Sequence, residues 1–178
     1  MLERERILTL FSATHGPLDR ALLCISDQDR QDAFAINFRA QEMVNTYSVS
    51  KIIVTLAIYS LWENDLIDLR APIAHYWPEF AQEGKADITI SHVMNHTSGV
   101  PHFGEALETA DTYDWFRVCA LLERTTPLHR AGQATVYHAR SFGFLLGEII
   151  RRVTGLPFSD YVSQHLTFGE SSFYFGVP

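Results

Sequence analysis

The chain has 178 residues, of which 47% are hydrophobic and 20% are charged, and its formal net charge is −7. These fractions exclude a disordered, collagen-like or coiled-coil chain, and a chain of this length buries roughly 70% of its unfolded surface without disulfides or a structural metal. The acidic balance disfavours nucleic acid and anionic lipid as partners. The composition therefore predicts one globular domain over residues 1–178.

The N-terminal segment lacks the pattern of a targeting peptide. Glu3 and Glu5 precede only a short apolar stretch, which is typical of neither a secretory nor a transit signal. The longest apolar run, residues 52–62, has about half the length that a bilayer span needs. Cys24 and Cys119 lack metal-ligand spacing and are predicted to be reduced, buried thiols. These features predict a cytoplasmic protein that does not bind a membrane.

The first part of the chain predicts a helix followed by a β-hairpin. Apolar residues on one side of a helical wheel indicate an amphipathic helix over about residues 2–12. Residues 21–26 and the alternating apolar residues at 34, 36 and 38 flank a polar cluster at 27–30, which predicts two antiparallel strands. An isolated hairpin is marginally stable, so we expect it to pair with more strands or to pack on helices.

The rest of the chain predicts helices. Residues 48 to about 64 are apolar nearly all the way round, which is typical of a central helix covered on every side. Further predicted helices are a short one capped by Thr89 over 90–95, one of about three turns beginning near Trp115, one over 141–153 closed by Gly155, and one over 158–166. The predicted fold class is α+β, a hairpin followed by a mostly helical lobe.

The pattern Ser48-Val49-Ser50-Lys51 places a serine and a lysine at the start of the apolar helix. Residues three apart on a helix face the same way, so the Lys51 amine can reach the Ser48 hydroxyl. A lysine among apolar groups is pushed toward its neutral form and can then take the serine proton. The pattern therefore predicts a nucleophile and its base, against the alternative of a capping serine beside a solvated lysine.

Tyr137 precedes the helix that is predicted over residues 141–153. A phenol beside an ammonium can relay a proton, so Tyr137 could complete a Ser/Lys/Tyr system. Spacing alone favours a packed tyrosine with a bonded hydroxyl, and it favours a bonded or half-exposed His138.

Several motifs together resemble the serine β-lactamase-like family, and within it the carboxylesterases related to class C β-lactamases. The motifs lie at residues 43–51, 66–72, 76–80, 88–100, 137–139 and 143–155. The resemblance runs from about residue 43 to the C-terminus. It implies the first half of a β-lactamase/transpeptidase-like fold, with Ser48 as the acylated nucleophile, Lys51 as its partner and Tyr137 as the proton relay.

The chain departs from this family in two respects. Ala139 stands where the penicillin-binding and β-lactamase branches have Asn or Ser, which favours an ester substrate. Family members also continue past Pro178 with further strands and a third motif, which this chain lacks, so we expect a domain truncated at its C-terminus. The hairpin edge would then be open to self-association or to strand addition.

Other chemistries lack their motifs. The chain has no Gly-x-Ser-x-Gly elbow and no glycine-rich phosphate loop. His92 and His96 are spaced as in a zinc helix, but the required glutamate is absent, so they are predicted to be packing or loop-anchoring groups. We therefore expect neither a cofactor nor a metal.

The leading hypothesis is a serine hydrolase that acts on a small ester or amide through an acyl-enzyme on Ser48. The first alternative is a truncated, non-catalytic relative that binds a partner or needs a complementary chain. The second alternative is a β-lactamase or D,D-peptidase.

Overall fold

The computed structural model describes residues 4–16, 19–26, 31–38, 42–167 and 174–175. The chain forms two compact units, Met1–Asn45 and Thr46–Pro178, called here the N-terminal unit and the helical unit. The predicted start of the first helix at residue 2 and the predicted polar turn at 27–30 lie outside the described residues. The prediction of one domain over residues 1–178 stays a prediction.

The N-terminal unit contains a helix, α1 (Arg4–Ala13), and a hairpin of β1 (Ala21–Ser26) and β2 (Gln31–Ile36). The strands are antiparallel, and Leu23 lies opposite Phe34. The predicted hairpin is confirmed, and the described residues form this two-stranded sheet alone. The prediction for Cys24 was wrong, because alternation along β1 leaves this thiol exposed rather than buried.

In its described residues, the helical unit contains six α-helices, connected by loops and three short 3₁₀ turns. The helices are α2 (Lys51–Glu63), α3 (Ile73–Tyr76), α4 (Ile90–Met94), α5 (Trp115–Arg124), α6 (Ser141–Thr154) and α7 (Phe158–His165). The 3₁₀ turns are Tyr47–Ser50, Pro78–Ala81 and Ala110–Tyr113. With the hairpin, these elements confirm the predicted α+β class and the predicted helical lobe.

α6 forms the centre of the helical unit. It packs against α2, α4, α5 and α7, and Leu145, Leu146, Ile149 and Ile150 are fully buried. The helix ends at Gly155, whose φ of 76° gives the left-handed conformation that glycine adopts without steric cost. The predicted helix and its glycine stop are confirmed.

α2 was predicted to be covered on every side, and this prediction was wrong. Ala57, Ile58 and Leu61 face the core and are fully buried. The opposite face is exposed along its whole length, through Ile52, Leu56, Tyr59 and Trp62. The sequence shows that both faces are apolar, but only the tertiary arrangement decides which face has neighbours.

Lys85 is buried without any exposed surface, which the sequence did not predict. Its ammonium donates hydrogen bonds to the carbonyl oxygens of Glu123 (2.9 Å) and Thr125 (2.7 Å), at the C-terminal end of α5. Burial lowers the pKa of Lys85 from 10.5 to about 8, against the opposing effect of the Glu83 and Glu123 carboxylates. The lysine therefore caps α5 from inside the core, where the last carbonyls of a helix need donors.

Candidate active site

Ser48 lies in the 3₁₀ turn that leads into α2, and it is exposed. The turn is closed by the Val49 N–H, which donates to the Thr46 carbonyl at 3.1 Å. A hydrogen bond of 2.9 Å joins the hydroxyls of Thr46 and Ser50. Tyr47 has a φ of 46°, a left-handed conformation that is costly for a bulky residue and is concentrated at functional sites. The serine thus follows directly on a strained residue.

Lys51 connects the start of α2 to the segment that precedes α6. Its ammonium donates to the Ser48 hydroxyl oxygen at 3.2 Å and to the Ala139 carbonyl oxygen at 2.8 Å. The same nitrogen lies 5.0 Å from the centroid of the Tyr137 ring and 5.8 Å from that of Phe142. In the described part of the chain no carboxylate pairs with Lys51, so hydroxyl, carbonyl and aromatic groups hold its charge.

Tyr137 is about half exposed and lies beside both Ser48 and Lys51. The Ser48 hydroxyl, and then the Lys51 ammonium, lower the pKa of Tyr137 by favouring its phenolate. The structure therefore brings together the three side chains that the sequence analysis selected. Their catalytic roles stay predictions.

Residues 96–99 form backbone hydrogen bonds to residues 128–136, the stretch that leads to Tyr137. Backbone N–H groups of residues 128, 132 and 136 donate to the carbonyls of residues 99, 97 and 96, at 2.8, 2.9 and 3.0 Å. The two stretches are so close that a Cβ on Gly99 would lie 2.3 Å from the His129 carbonyl oxygen. Gly99, with a φ of 80°, is therefore required for this approach.

The histidines near the site have packing and anchoring roles. His92 completes a capping box with Thr89 at the start of α4, which confirms the predicted cap. His96 packs its ring 4.9 Å from that of Tyr137. His138 is fully buried, and its ring nitrogens bond to Ser98 and to the Val136 carbonyl.

Two groups at this site were not predicted from the sequence. Ala139 was interpreted only through its lack of an Asn or Ser side chain, whereas its backbone carbonyl oxygen accepts a hydrogen bond from Lys51. Ser98 was predicted only as part of a turn and of the motif at residues 88–100, whereas the structure shows it buried and bonded to His138. A single sequence does not show which distant group a turn serine or a backbone carbonyl will bond.

A separate groove of about 1010 Å³ lies elsewhere on the helical unit. It is lined by His92 and by residues from the stretches 83–88 and 126–133. Ser48, Lys51 and Tyr137 are not part of its wall, so the three candidate catalytic side chains lie outside this groove.

The family model described as Beta-lactamase matches residues 21–169. This chain belongs to the β-lactamase family. The match covers the hairpin and residues 46–169 of the helical unit, and it includes Ser48, Lys51 and Tyr137.

Individual relatives include both esterases and β-lactamases. The chain is 35% identical over 109 residues to Esterase/beta-lactamase LipL of Mycobacterium tuberculosis, covering 61% of this chain and 25% of that protein. It is 35% identical to a crystal structure of a family VIII carboxylesterase, with a TM-score of 0.75, covering 85% of this chain and 41% of the other. A class C β-lactamase mutant shows the same fold at 20% identity, with a TM-score of 0.75 and coverage of 98% and 50%.

The chain spans between 25% and 50% of the lengths of these three proteins. The predicted likeness to the first half of the β-lactamase fold is thus confirmed. Within the described ranges, none of the helices combines the length and the apolar character that a bilayer crossing requires.

Proposed function

We propose that this chain carries the nucleophile and the proton-transfer groups of a serine hydrolase that acts on small esters or amides. The observation that carries the proposal is the Lys51 ammonium, which lies 3.2 Å from the Ser48 oxygen and 5.0 Å from the Tyr137 ring. The Ser48 hydroxyl also bonds to the Tyr137 phenol, whose phenolate form the Lys51 ammonium favours. A serine bonded to a group that can accept its proton, which a third group stabilises, is the arrangement of an activated nucleophile.

In the proposed reaction, the Ser48 oxygen attacks the carbonyl carbon of the substrate and forms a bond to it. The proton of Ser48 passes to the Tyr137 phenolate, which the Lys51 ammonium stabilises. The same proton then passes to the leaving oxygen, so that the alcohol departs and an acyl-Ser48 ester remains. Water hydrolyses this ester, the acid is released, and Ser48 regains its proton.

An ester is the favoured substrate. The third position of the tyrosine motif is Ala139, whose side chain offers no hydrogen bond to an amide substrate. The family VIII carboxylesterase, at 35% identity, supports the same choice. The carbonyl oxygen of Ala139 accepts a hydrogen bond from the Lys51 ammonium at 2.8 Å.

The test is covalent labelling of the full chain by a fluorophosphonate, read by mass spectrometry. We expect one adduct on Ser48 and no adduct in Ser48→Ala. Ser50→Ala is the matched control, because Ser50 lies in the same turn and its hydroxyl bonds to that of Thr46. Labelling that persists in Ser48→Ala would overturn the proposal, and acylation of Ser48 by a penicillin would favour the β-lactamase or D,D-peptidase alternative.

A second candidate function is a non-catalytic relative that binds a partner or a complementary chain. The exposed apolar face of α2 supports it, because monomeric proteins rarely expose a continuous apolar patch. Ile52, Leu56 and Trp62 on this face are 59%, 48% and 49% exposed. Folded, monomeric chain with Ser48-dependent ester turnover would argue against this candidate.

A further inference from the structure

Ser98, His138 and His96 form a buried polar cluster next to Tyr137. Ser98 and His138 have no exposed surface, and His96 is partly buried beside them. Polar groups in such a place are costly unless each one is hydrogen-bonded. The cluster is not part of the proton path that is proposed above, so its presence needs another explanation.

The hydrogen bonds fix one tautomer of His138. Its Nδ1 lies 2.6 Å from the Val136 carbonyl oxygen, which can only accept, so Nδ1 carries the proton. In the neutral ring Nε2 is then the acceptor, and the Ser98 hydroxyl donates to it at 2.6 Å. The Ser98 oxygen in turn accepts from the Val100 N–H at 3.1 Å. Every polar side-chain atom of the Ser98–His138 pair therefore has a hydrogen-bond partner.

The backbone of His138 is held as well. Its N–H donates to Nδ1 of His96 at 3.2 Å. The His96 ring lies 4.9 Å from the Tyr137 ring and 5.1 Å from the Phe142 ring. Residue 138 is thus held at its ring and at its backbone, from the stretch that also contains Ser98.

In the sequence, His138 lies between two of the residues that contact Lys51. Tyr137 precedes it and places its ring 5.0 Å from the Lys51 nitrogen, and Ala139 follows it and accepts a hydrogen bond from that nitrogen at 2.8 Å. Because residue 138 is held in place, the positions of Tyr137 and Ala139 relative to Lys51 are fixed together.

We propose that Ser98 and His138 are positioning residues, whose buried hydrogen bond sets the place of the Tyr137 phenol and of the Ala139 carbonyl relative to Lys51. Their effect on catalysis rests on the function proposed above. The geometric part, that the Ser98–His138 bond keeps Tyr137 beside Lys51 and Ser48, does not require turnover.

The electrostatics agree with a neutral pair of imidazoles. Burial lowers the pKa of His138, and His96 and His129 lower it further against the opposing bond to Val136. Burial also lowers the pKa of His96, and the Lys51 charge adds to this effect. A neutral His138 is the form that can accept from Ser98 while it donates to Val136.

The test compares two buried serines. Ser98→Ala removes the donor to His138, whereas Ser141→Ala removes a fully buried hydroxyl that donates to the Val100 carbonyl at 2.8 Å. With an ester substrate, we expect kcat to fall at least tenfold in Ser98→Ala with KM changed less than twofold. In Ser141→Ala we expect a similar loss of thermal stability and a kcat within twofold of the wild type.

A second measurement needs no turnover. A ¹³C NMR titration of the Tyr137 ring in the full chain should give a pKa below 10 in the wild type and in Ser141→Ala. In Ser98→Ala we expect this pKa to move up toward 10, because the phenol loses its place beside Ser48 and Lys51. If Ser98→Ala does not fold, Ser98→Cys keeps nearly the same shape with a weaker donor and should shift the pKa in the same direction.

The outcomes separate the two proposals. Without Ser48-dependent labelling in the wild type the proposed function fails, and the tyrosine titration still decides the positioning role. A folded Ser98→Ala chain whose Tyr137 pKa equals that of the wild type overturns the positioning role, whatever its activity. A kcat loss of equal size in Ser98→Ala and Ser141→Ala, with the Tyr137 pKa unchanged in both, also overturns it.

Discussion

At the scale of single residues, the proposed chemistry depends on the proton affinity of one phenol. The Ser48 hydroxyl and the Lys51 ammonium favour the phenolate of Tyr137, which lowers its pKa. A tyrosine beside neither group would be almost fully protonated at neutral pH and a poor acceptor of the serine proton. The two neighbours therefore favour the form of Tyr137 that the proposed reaction requires.

The substitution Tyr137→Phe tests this role. We expect it to lower kcat/KM for an ester by about 10²- to 10⁴-fold, the usual contribution of a general base. In the wild type kcat/KM should rise with pH, with a midpoint below 10, because the base form is required and its pKa is lowered. Steady-state rates across the pH range measure both effects.

The matched control for this substitution is Tyr113→Phe. Tyr113 is 84% exposed in the 3₁₀ turn Ala110–Tyr113 and contacts none of the three candidate catalytic residues. We expect its pH profile to match that of the wild type. An unchanged rising limb in Tyr137→Phe would show that another group accepts the proton.

The candidate site could be predicted from the sequence only for side chains that carry a pattern. Ser48 and Lys51 are one helical turn apart, so local geometry alone brings them together. Tyr137 needed the family resemblance, since it is 86 residues from Lys51 in the sequence. The Ala139 carbonyl and the Ser98–His138 bond depend on tertiary contacts between distant stretches, which no local spacing encodes.

At the scale of the elements, α6 is stabilised by one buried carboxylate. Glu148 is 1% exposed and accepts hydrogen bonds from Arg151, Arg152 and Trp115 at 2.7 to 2.8 Å. Burial alone would raise its pKa, but these bonds outweigh burial and lower the pKa from 4.5 to about 2. The carboxylate thus joins α5 to the last turns of α6.

This pKa predicts an acid-dependent stability. Because the folded chain binds the Glu148 proton less readily than the unfolded chain, the stabilisation is present above pH 4.5 and is lost as pH falls toward 2. A shift of this size corresponds to about 3 kcal/mol. Glu148→Gln should therefore lower the free energy of unfolding at pH 7 by about 3 kcal/mol and flatten its decline in acid, as measured by urea titration.

Glu79→Gln is the control for the Glu148 substitution. Glu79 also pairs with Arg152, at 2.8 Å, but its side chain is 54% exposed. An exposed pair contributes at most about 1 kcal/mol, so we expect a small change. Equal losses in the two variants would contradict the buried-network account.

The element boundaries show what periodicity can predict. The helix predicted over residues 141–153 matches α6, because both its apolar face and its glycine stop are local signals. α3, with four residues, was not predicted, because a single helical turn shows no period. The start of α2 was placed at Ser48, whereas residues 47–50 form a 3₁₀ turn and α2 begins at Lys51.

At the scale of the whole molecule, the described residues leave one face of α2 apolar and exposed. Within the helical unit, Ala57, Ile58 and Leu61 are buried in the core, and the opposite side of the helix is exposed. Sequence periodicity could not reveal this asymmetry, because a helix that is apolar all round looks the same whether or not a neighbour is present. An exposed face of this kind favours association with another apolar surface.

In a purified sample only another copy of the chain can cover the exposed face of α2, so we expect the chain to self-associate through this face. The wild type should sediment as species larger than the 20.2 kDa monomer, with a concentration dependence. Leu56→Lys places a charge on the exposed face and should restore the monomer without lowering the unfolding midpoint. Ile58→Lys, two residues away and fully buried, should instead unfold the chain, because it buries an unpaired charge. Sedimentation velocity of all three chains separates the effects, and a wild type that stays monomeric at every concentration would show that the exposed face does not drive association.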